Sequence, residues 1–266
     1  MKTRFTTVIV TTLALFGLPA TAADVKLTIP EHPMSAYIVD IVSQSLEAQG
    51  HTAEITVDAK STENRIEAMI TKGEKNMATF KLSRGTVENA VVVPVGLTGG
   101  LLGKRVFFVR PGEQDAFANI KTVKDLQESG LMGGFGENWF DVNIWKANDL
   151  DVTIATGKWQ KIYRMLAEGN RNIDYFSRGI MEIAVEAPLH PDLAVEPNLI
   201  VSYDGDFNLY LSPANKDDAG VLGQALNAAI ESGLREQLVR QYFPVVFDPD
   251  GLNMDGRHEI KLNMPS

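Results

Sequence analysis

The chain has 266 residues, of which 44% are hydrophobic and 22% charged, a composition typical of a globular protein with a sizeable core. It has no cysteine, which excludes disulfides, thiolate metal sites and cysteine nucleophiles, and its four histidines are far apart in sequence. The formal net charge of −9 argues against nucleic acid and anionic membranes as partners, because phosphate groups attract clusters of Lys and Arg.

The first 22 residues have the three parts of a secretory signal peptide. Lys2 and Arg4 form a positive start, residues 5–18 are apolar, and the PATA segment that follows ends in a small-x-small pattern. A membrane anchor is the alternative, but the apolar stretch is shorter than the ~20 residues that a spanning helix needs. We therefore expect cleavage after Ala22 and release of the mature chain into the periplasm. The loss of Lys2 and Arg4 would give the mature chain a net charge of −11.

Strand and helix patterns alternate along the rest of the chain. Residue spacing, turn residues and caps such as the Thr122–Asp125 capping box predict the following elements in chain order: strand 25–29, helix 35–49, strand 54–58, a helix from 61 or 62 to Gly73, strands 76–82, 90–95 and 105–109, a short helix from 122, strand 131–135, helix 139–147, strand 151–155, helix 158–168, strand 173–177, helix 179–187, short strands up to 203, strand 207–212, and helical residues 216–242 broken at 232–233. This alternation indicates parallel β-α-β units with helices on both faces.

Two clusters of breaker residues divide the chain. Residues 110–112 (RPG) and 204–206 (DGD) enclose a middle block, and the α/β material on either side of it is too small to fold alone. We therefore predict one lobe from 23–110 together with 205–266 and a second lobe from 111–204, joined by crossings near Pro111 and Asp204. The tail after Asp248 is polar and is predicted to be irregular.

Four stretches in this order resemble the family 3 solute-binding proteins of amino-acid-type ABC importers. They are 117–126 (FANIKTVKDL), 163–169 (YRMLAEG), 173–176 (IDYF) and 234–243 (LREQLVRQYF). The resemblance implies an α/β, two-lobed, type II periplasmic-binding-protein-like fold with a doubly crossed hinge. It also implies hinge closure on a small ligand and delivery of that ligand to a membrane permease.

A glycine-rich turn leads into the predicted helix 139–147. Its residues Gly136, Glu137, Asn138 and Trp139 would present backbone N–H groups and the positive end of a helix dipole to an anion. A tight strand–helix connection without a ligand explains the same pattern equally well.

Arg178 follows the strand 173–177 directly and should emerge at the cleft, where a guanidinium can hold a carboxylate in two parallel hydrogen bonds. The alternative is a surface arginine paired with Glu182 one turn later. The resembled family usually has an aspartate near this position for the ligand's ammonium group. The reversed charge here predicts a ligand with additional negative charge or a hydrogen-bonding carbonyl.

Further candidate ligand residues are predicted for the first lobe. Thr79, Phe80 and Arg84 lie at and after the strand 76–82, and the resemblance implies that a Ser/Thr and an arginine there grip an α-carboxylate. His32, in a turn, could add a polar contact, and Trp139 a stacking wall, although each residue type is more often structural in such a place.

No metal site, cofactor or catalytic group is predicted. Residues 99–105 resemble a phosphate-binding loop only faintly, and residues 248–259 lack the ligand pattern of a calcium loop. The predicted function is therefore a monomeric, non-enzymatic periplasmic binding protein that captures a small polar or anionic ligand, amino-acid-like or carboxylate, for an ABC permease. The alternatives are a periplasmic dehydratase of the cyclohexadienyl or arogenate type on the same fold, and an adaptor that reports a ligand to a membrane receptor.

Overall fold

The computed structural model describes residues 22–82, 87–137, 139–169 and 171–265. The predicted signal peptide, apart from Ala22, and the predicted ligand residues Arg84 and Asn138 lie outside the described residues. No helix in the described part of the chain is long and apolar enough to cross a lipid bilayer.

The strands and helices of the described residues alternate along most of the chain. The strands are β1 (Asp24–Pro30), β2 (Thr52–Asp58), β3 (Ala78–Leu82), β4 (Val91–Val93), β5 (Lys104–Val109), β6 (Gly133–Gly136), β7 (Val152–Ala155), β8 (Tyr175–Gly179), β9 (Ala194–Val195), β10 (Leu199–Ser202), β11 (Phe207–Leu211) and β12 (His258–Lys261). The helices are α1 (Ser35–Ala48), α2 (Glu63–Thr71), α3 (Val123–Glu128), α4 (Asp141–Ala147), α5 (Lys161–Glu168), α6 (Ile180–Glu186), α7 (Asp218–Glu231), α8 (Leu234–Tyr242) and α9 (Pro244–Phe247). The predicted capping box at the start of α3 and the predicted break between α7 and α8 are confirmed.

The sheet of the first lobe has the strand order β2-β1-β3-β11-β4. β1 and β2 are parallel, a bridge between Thr28 and Met77 joins β1 to the start of β3, and β11 runs antiparallel between β3 and β4. Val25, Leu27 and Ile29 alternate along β1 and are buried, as expected for a strand that packs one face on the core. Helix α1 covers this sheet with its apolar side and packs against α7 and α8.

The sheet of the second lobe has the order β12-β10-β5-β8-β6-β7, with β9 beside β5. β6 is parallel to β7 and β8, as the β-α-β pattern predicts, whereas β5 is antiparallel to β8 and β10. The residues of β5 after Lys104 and all residues of β8 are buried because both faces of these central strands are covered. The buried residues include the charged Arg105 and Arg178.

The chain enters the second lobe earlier than predicted. β5 pairs with β8, so the connection between the lobes lies between β4 and β5 and not near Pro111. The breaker cluster at 110–112 is a surface turn that follows β5. The strongly apolar sequence of β5 reflects a central position in the second sheet, which residue spacing alone does not reveal.

Two connections between the lobes contact each other at the hinge. The Asp206 carboxylate accepts hydrogen bonds of 2.8 Å from the backbone N–H groups of Thr98 and Gly100. Gly103 lies so close to the other connection that a Cβ atom there would be 2.2 Å from the carbonyl oxygen of Tyr203. The hinge is therefore a pair of hydrogen-bonded segments.

The tail after Asp248 was predicted to be irregular, but part of it is the strand β12. The tail thereby forms a third connection between the lobes. β12 pairs in parallel with β10 and thus returns the chain to the second lobe. Arg257 donates hydrogen bonds to the carbonyl oxygens of Glu196 and Leu199, and Asn148 and Asn263 exchange two hydrogen bonds. These partners are remote in sequence, so a polar tail gives no local signal for the strand.

We expect Arg257→Ala to lower the free energy of unfolding by about 1–3 kcal/mol, because it leaves buried carbonyl groups without their donor. Hydrogen exchange in β12 should accelerate as well. Lys261→Ala is the matched control, since Lys261 and its partner Asp204 are both exposed, and it should change stability by less than about 0.5 kcal/mol. Equal effects of the two substitutions would contradict an anchoring role for Arg257.

Candidate functional site

The candidate site is a buried charged network on the side of the second lobe that faces the first. Arg178 lies at the end of β8, and Glu182 and Glu186 follow it on one face of α6, because residues four apart on a helix are neighbours. The exposed fractions of these three residues are 3%, 5% and 3%. Charged groups are this deeply buried only when they are paired.

The guanidinium of Arg178 is shared between the two carboxylates. Its Nε donates to Glu186 at 2.8 Å, and its Nη2 donates to Glu186 at 2.6 Å and to Glu182 at 2.8 Å. The rings of Trp139, Trp159 and Phe176 surround it, with their centroids 5.3, 4.7 and 5.5 Å from its Cζ atom. The sequence offered the alternative of a surface arginine paired with Glu182. Arg178 does pair with Glu182, but it is buried.

Glu182 also connects to a second buried arginine. Its carboxylate accepts a hydrogen bond of 2.8 Å from the N–H of Gly179 and lies 3.5 Å from Nη1 of Arg105. Burial opposes the charged form of Glu182, but Arg178 and Arg105 together hold its pKa below the ordinary value. Glu182 is thus an ionised carboxylate at neutral pH.

The network continues from Arg105 to the hinge. Nη2 of Arg105 lies 3.2 Å from Oδ1 of Asp141, which accepts a hydrogen bond of 2.6 Å from the hydroxyl of Tyr203. Tyr203 is the first residue of the connection between β10 and β11. A continuous chain of polar contacts therefore links the hinge to Glu182.

The first lobe contributes His32, which follows β1, to this site. Its Nε2 atom lies 4.0 Å from Oε1 of Glu182 on the other lobe. The rings of Phe80 and Phe207 pack edge-on against the imidazole at centroid distances of 5.3 and 6.0 Å. Burial lowers the pKa of His32 to about 4, so the ring is neutral at pH 7.

The formal charges of the buried network do not balance. Arg105 and Arg178 carry two positive charges against three negative charges on Asp141, Glu182 and Glu186, while His32 is neutral. The position of Arg178 in the sequence predicted a ligand with additional negative charge; among the described residues, the carboxylates of α6 and α4 offset the charge of the two arginines.

The described residues of the glycine-rich turn give the predicted anion site no support. α4 begins at Asp141, so the carboxylate of this residue lies in the first turn of the helix. The N–H groups of Glu137 and Trp139 already donate to the carbonyl oxygens of Ala155 and Gly136. Glu137 is exposed.

Gly136 gives Trp139 the space to lie against the site. A Cβ atom on Gly136 would be 2.6 Å from the indole ring of Trp139, which stacks on Phe176 at 6.0 Å and contacts the guanidinium of Arg178. The observed position of the Trp139 ring therefore requires glycine at position 136.

We expect Gly136→Ala to displace the Trp139 ring from Arg178, shift the tryptophan emission and lower the free energy of unfolding by about 1–3 kcal/mol. Gly220→Ala in α7 is the matched control, because a Cβ atom there meets nothing within 4 Å and alanine favours the helix. An unchanged emission spectrum for Gly136→Ala would contradict this packing role.

The structure brings together some of the predicted ligand residues. His32, Phe80, Trp139 and Arg178 lie around the network, whereas Thr79 is on the opposite face of β3 from Phe80. That opposite face holds Met77, packed on α2, and Lys81, whose Nζ lies 2.7 Å from Glu67. The Thr79 hydroxyl is fully buried and has no hydrogen-bond partner among the described residues.

Residue spacing missed several members of the site. Arg105, Asp141, Tyr203, Trp159, Phe207 and Glu186 were not predicted to belong to it. Glu182 and Glu186 lie four and eight residues after Arg178, and this helical spacing was a usable signal for Glu186. Within the described residues, no group of three or more His, Asp or Glu side chains is arranged to hold a metal ion.

No family model and no curated protein matches the sequence. Solved structures do match it. An amino acid ABC transporter substrate-binding protein from Streptococcus pneumoniae bound to L-arginine is 14% identical, with a TM-score of 0.54 over 82% of this chain and 94% of that one. The GluR0 ligand-binding core with L-glutamate is 12% identical, with a TM-score of 0.55 over 84% and 100%.

A third similar structure is the ancestral amino-acid-binding protein AncCDT-1, a precursor of cyclohexadienyl dehydratase. It is 10% identical, with a TM-score of 0.54 over 83% of this chain and 95% of that one. At such identities the similarity shows the fold. The predicted two-lobed, type II periplasmic-binding-protein fold is therefore confirmed.

Proposed function

We propose that the protein is an exported, family 3 solute-binding protein that closes its lobes on a small polar ligand and delivers it to the permease of an ABC importer. The observation that carries the proposal is the approach of His32, on the first lobe, to the buried carboxylate of Glu182, on the second. A ligand that contacts both lobes favours the closed form, because only that form offers both sets of contacts.

The charge of the site supports an amino-acid-like ligand that carries a positively charged nitrogen. Glu182 is ionised, faces the other lobe and belongs to a network with one excess negative charge. The S. pneumoniae protein and the GluR0 core are described with L-arginine and L-glutamate, which both contain an ammonium group. A purely anionic ligand, the other possibility raised by the sequence, has less support because Arg178 already binds two carboxylates.

A dehydratase on this fold would need a group that donates or accepts a proton at the substrate. Glu182 is poorly suited as the acid because the two arginines keep it ionised, which favours binding over catalysis. Incubation with prephenate or arogenate separates the alternatives: release of an aromatic product would establish the enzyme. Neighbouring genes for a permease and an ATPase would decide against an adaptor for a membrane receptor.

A thermal-shift screen of amino acids, amines, dicarboxylates and small anions tests the proposed function. A ligand at 100 times its Kd stabilises the folded state by about 2.7 kcal/mol, which corresponds to roughly 5–10 °C in Tm for a chain of this size. We expect such shifts from one or a few amino-acid-like compounds with a positive group. A flat response to the whole panel would contradict the proposal.

Export and oligomeric state have their own tests. Expression with the complete N-terminus should yield a periplasmic protein whose mass corresponds to cleavage after Ala22. We expect this mature form to elute as a monomer in size-exclusion chromatography. Retention of residues 1–22 on the purified protein would contradict the signal peptide.

A further inference from the structure

The two oxygens of the Glu182 carboxylate have different surroundings. Oε2 accepts a hydrogen bond of 2.8 Å from the N–H of Gly179 and lies 3.5 Å from Nη1 of Arg105, so both partners belong to the second lobe. Oε1 accepts a hydrogen bond of 2.8 Å from Arg178 and lies 4.0 Å from Nε2 of His32 on the first lobe. A carboxylate oxygen has about two acceptor sites, and Arg178 occupies one of those on Oε1. Oε1 can therefore accept a further hydrogen bond at the boundary between the lobes.

Arg105 is anchored by groups other than Glu182. Its Nε donates to the hydroxyl of Ser177 at 3.4 Å, and its Nη2 donates to the carbonyl oxygen of Ser177 at 3.1 Å and lies 3.2 Å from Oδ1 of Asp141. Its Nη1 donates at 3.2 Å to the carbonyl oxygen of Leu102, which belongs to the connection between β4 and β5. A guanidinium presents its N–H groups in a rigid planar fork, so these contacts determine the orientation of Arg105. Nη1 therefore approaches Glu182 from a fixed position.

Arg178, the other arginine at Glu182, is anchored differently. In the described part of the chain its hydrogen bonds go to the carboxylates of Glu186 and Glu182. Its other close neighbours are aromatic rings, which attract a cation but offer no directional acceptor. The position of Arg178 therefore depends on the carboxylates that it binds, whereas the position of Arg105 does not depend on Glu182.

Gly179 limits the space for Oε2 on the side of the backbone. A Cβ atom at this position would be 3.0 Å from Oε2 of Glu182 and 3.2 Å from the carbonyl oxygen of Leu102. The φ angle of Gly179 is −58°, which alanine also adopts without strain. The close approach of Oε2 is therefore the reason why glycine suits this position, and Oε2 lies between the Gly179 backbone and Arg105.

We propose that Arg105 is the positioning residue of the candidate site: it holds Oε2 of Glu182 so that Oε1 faces the first lobe and can accept a hydrogen bond from a positively charged group of the ligand. This role rests on the proposed function, because it requires a ligand between the lobes. Arg105 acts through Glu182 and not by contact with the ligand. A binding group that its neighbours hold in place loses less conformational entropy when the ligand arrives, which raises the affinity.

Calorimetric titration tests this role with the strongest binder among arginine, glutamine and glutamate as the probe. Arg105→Gln removes the charge and most of the fork, whereas Gly179→Ala displaces Oε2 without changing any charge. Both variants should weaken binding of the probe by about 10-fold. Arg257→Gln is the matched control, because Arg257 is also buried and lies 3.6 Å from a buried glutamate, Glu196, but belongs to the third connection. An equal loss of affinity in the control and in Arg105→Gln would overturn the proposal.

Carbon-13 NMR of the Glu182 side-chain carboxyl provides a measurement without ligand, with the signal identified by its loss in Glu182→Gln. Its titration midpoint should rise in Arg105→Gln and in Gly179→Ala, because the contact with Arg105 favours the charged carboxylate, and should not change in Arg257→Gln. Gly179→Ala removes no ion pair and supplies the comparison where Arg105→Gln does not fold. Midpoints equal to that of the wild type would overturn the proposal. A wild-type protein that binds none of the three amino acids contradicts the proposed function, and the NMR comparison then still confirms or overturns the role of Arg105.

Discussion

Replacing Arg178 with alanine should lower the free energy of unfolding by about 3–5 kcal/mol. The substitution leaves the carboxylates of Glu182 and Glu186 buried beside each other without the guanidinium that binds both. It also removes the cation that fills the space among Trp139, Trp159 and Phe176. The sequence alone predicted an arginine that emerges at the cleft to hold a ligand, and the observed burial of Arg178 adds a structural role.

Urea denaturation of Arg178→Ala and of Arg164→Ala measures this effect against a matched control. Arg164 is 79% exposed and lies 3.7 Å from the carboxylate of Glu168 in an i,i+4 pair, so its loss should cost less than about 0.5 kcal/mol. The deficit of Arg178→Ala should shrink as the pH falls, because Arg178 holds the pKa of Glu182 down and its loss lets this buried carboxylate gain a proton more readily. Similar costs for both substitutions would contradict the buried network.

The second large effect concerns ligand affinity. Glu182→Gln should weaken binding of the ligand found in the thermal-shift screen by about 100-fold, because it removes the ionised group that faces the other lobe. The change keeps the side-chain volume and an oxygen acceptor for the N–H of Gly179. Calorimetric titration of the wild type and the variant measures the difference.

Glu186→Gln is the control for Glu182→Gln. Glu186 binds the same guanidinium but is the carboxylate farther along α6, and among its described contacts none reaches the first lobe. Each substitution removes one of the two negative charges that Arg178 binds. The stabilities of the two variants should therefore fall by similar amounts, while their ligand affinities differ. Equal affinities would mean that Glu182 acts only through the stability of the network.

Much of the fold could be predicted from residue spacing because its strands and helices have strong local patterns. The alternation in β1, the apolar face of α1 and the capping box of α3 are local features, and the structure contains all of these elements. The assignment of β5 to a sheet and the strand β12 could not be predicted in this way. Their partners, β8 and β10, are remote in sequence, and pairing between remote strands leaves no local signal.

The candidate site shows the same limit. Arg178 could be identified because it follows an apolar strand directly, but its neutralisation depends on how α6 is oriented against β8. Arg105 and Asp141 meet Glu182 and Tyr203 only through tertiary packing. The arginines alone therefore pointed to a ligand with additional negative charge, and only the tertiary packing reveals the carboxylates that pair with them.

Calorimetric titration with arginine, glutamine, glutamate and succinate tests whether the lobes close on a ligand with a positively charged nitrogen. We expect saturable one-to-one binding of at least one ligand that carries an ammonium or guanidinium group, and no binding of succinate. Tight binding of succinate together with no heat from any of the three amino acids would contradict it.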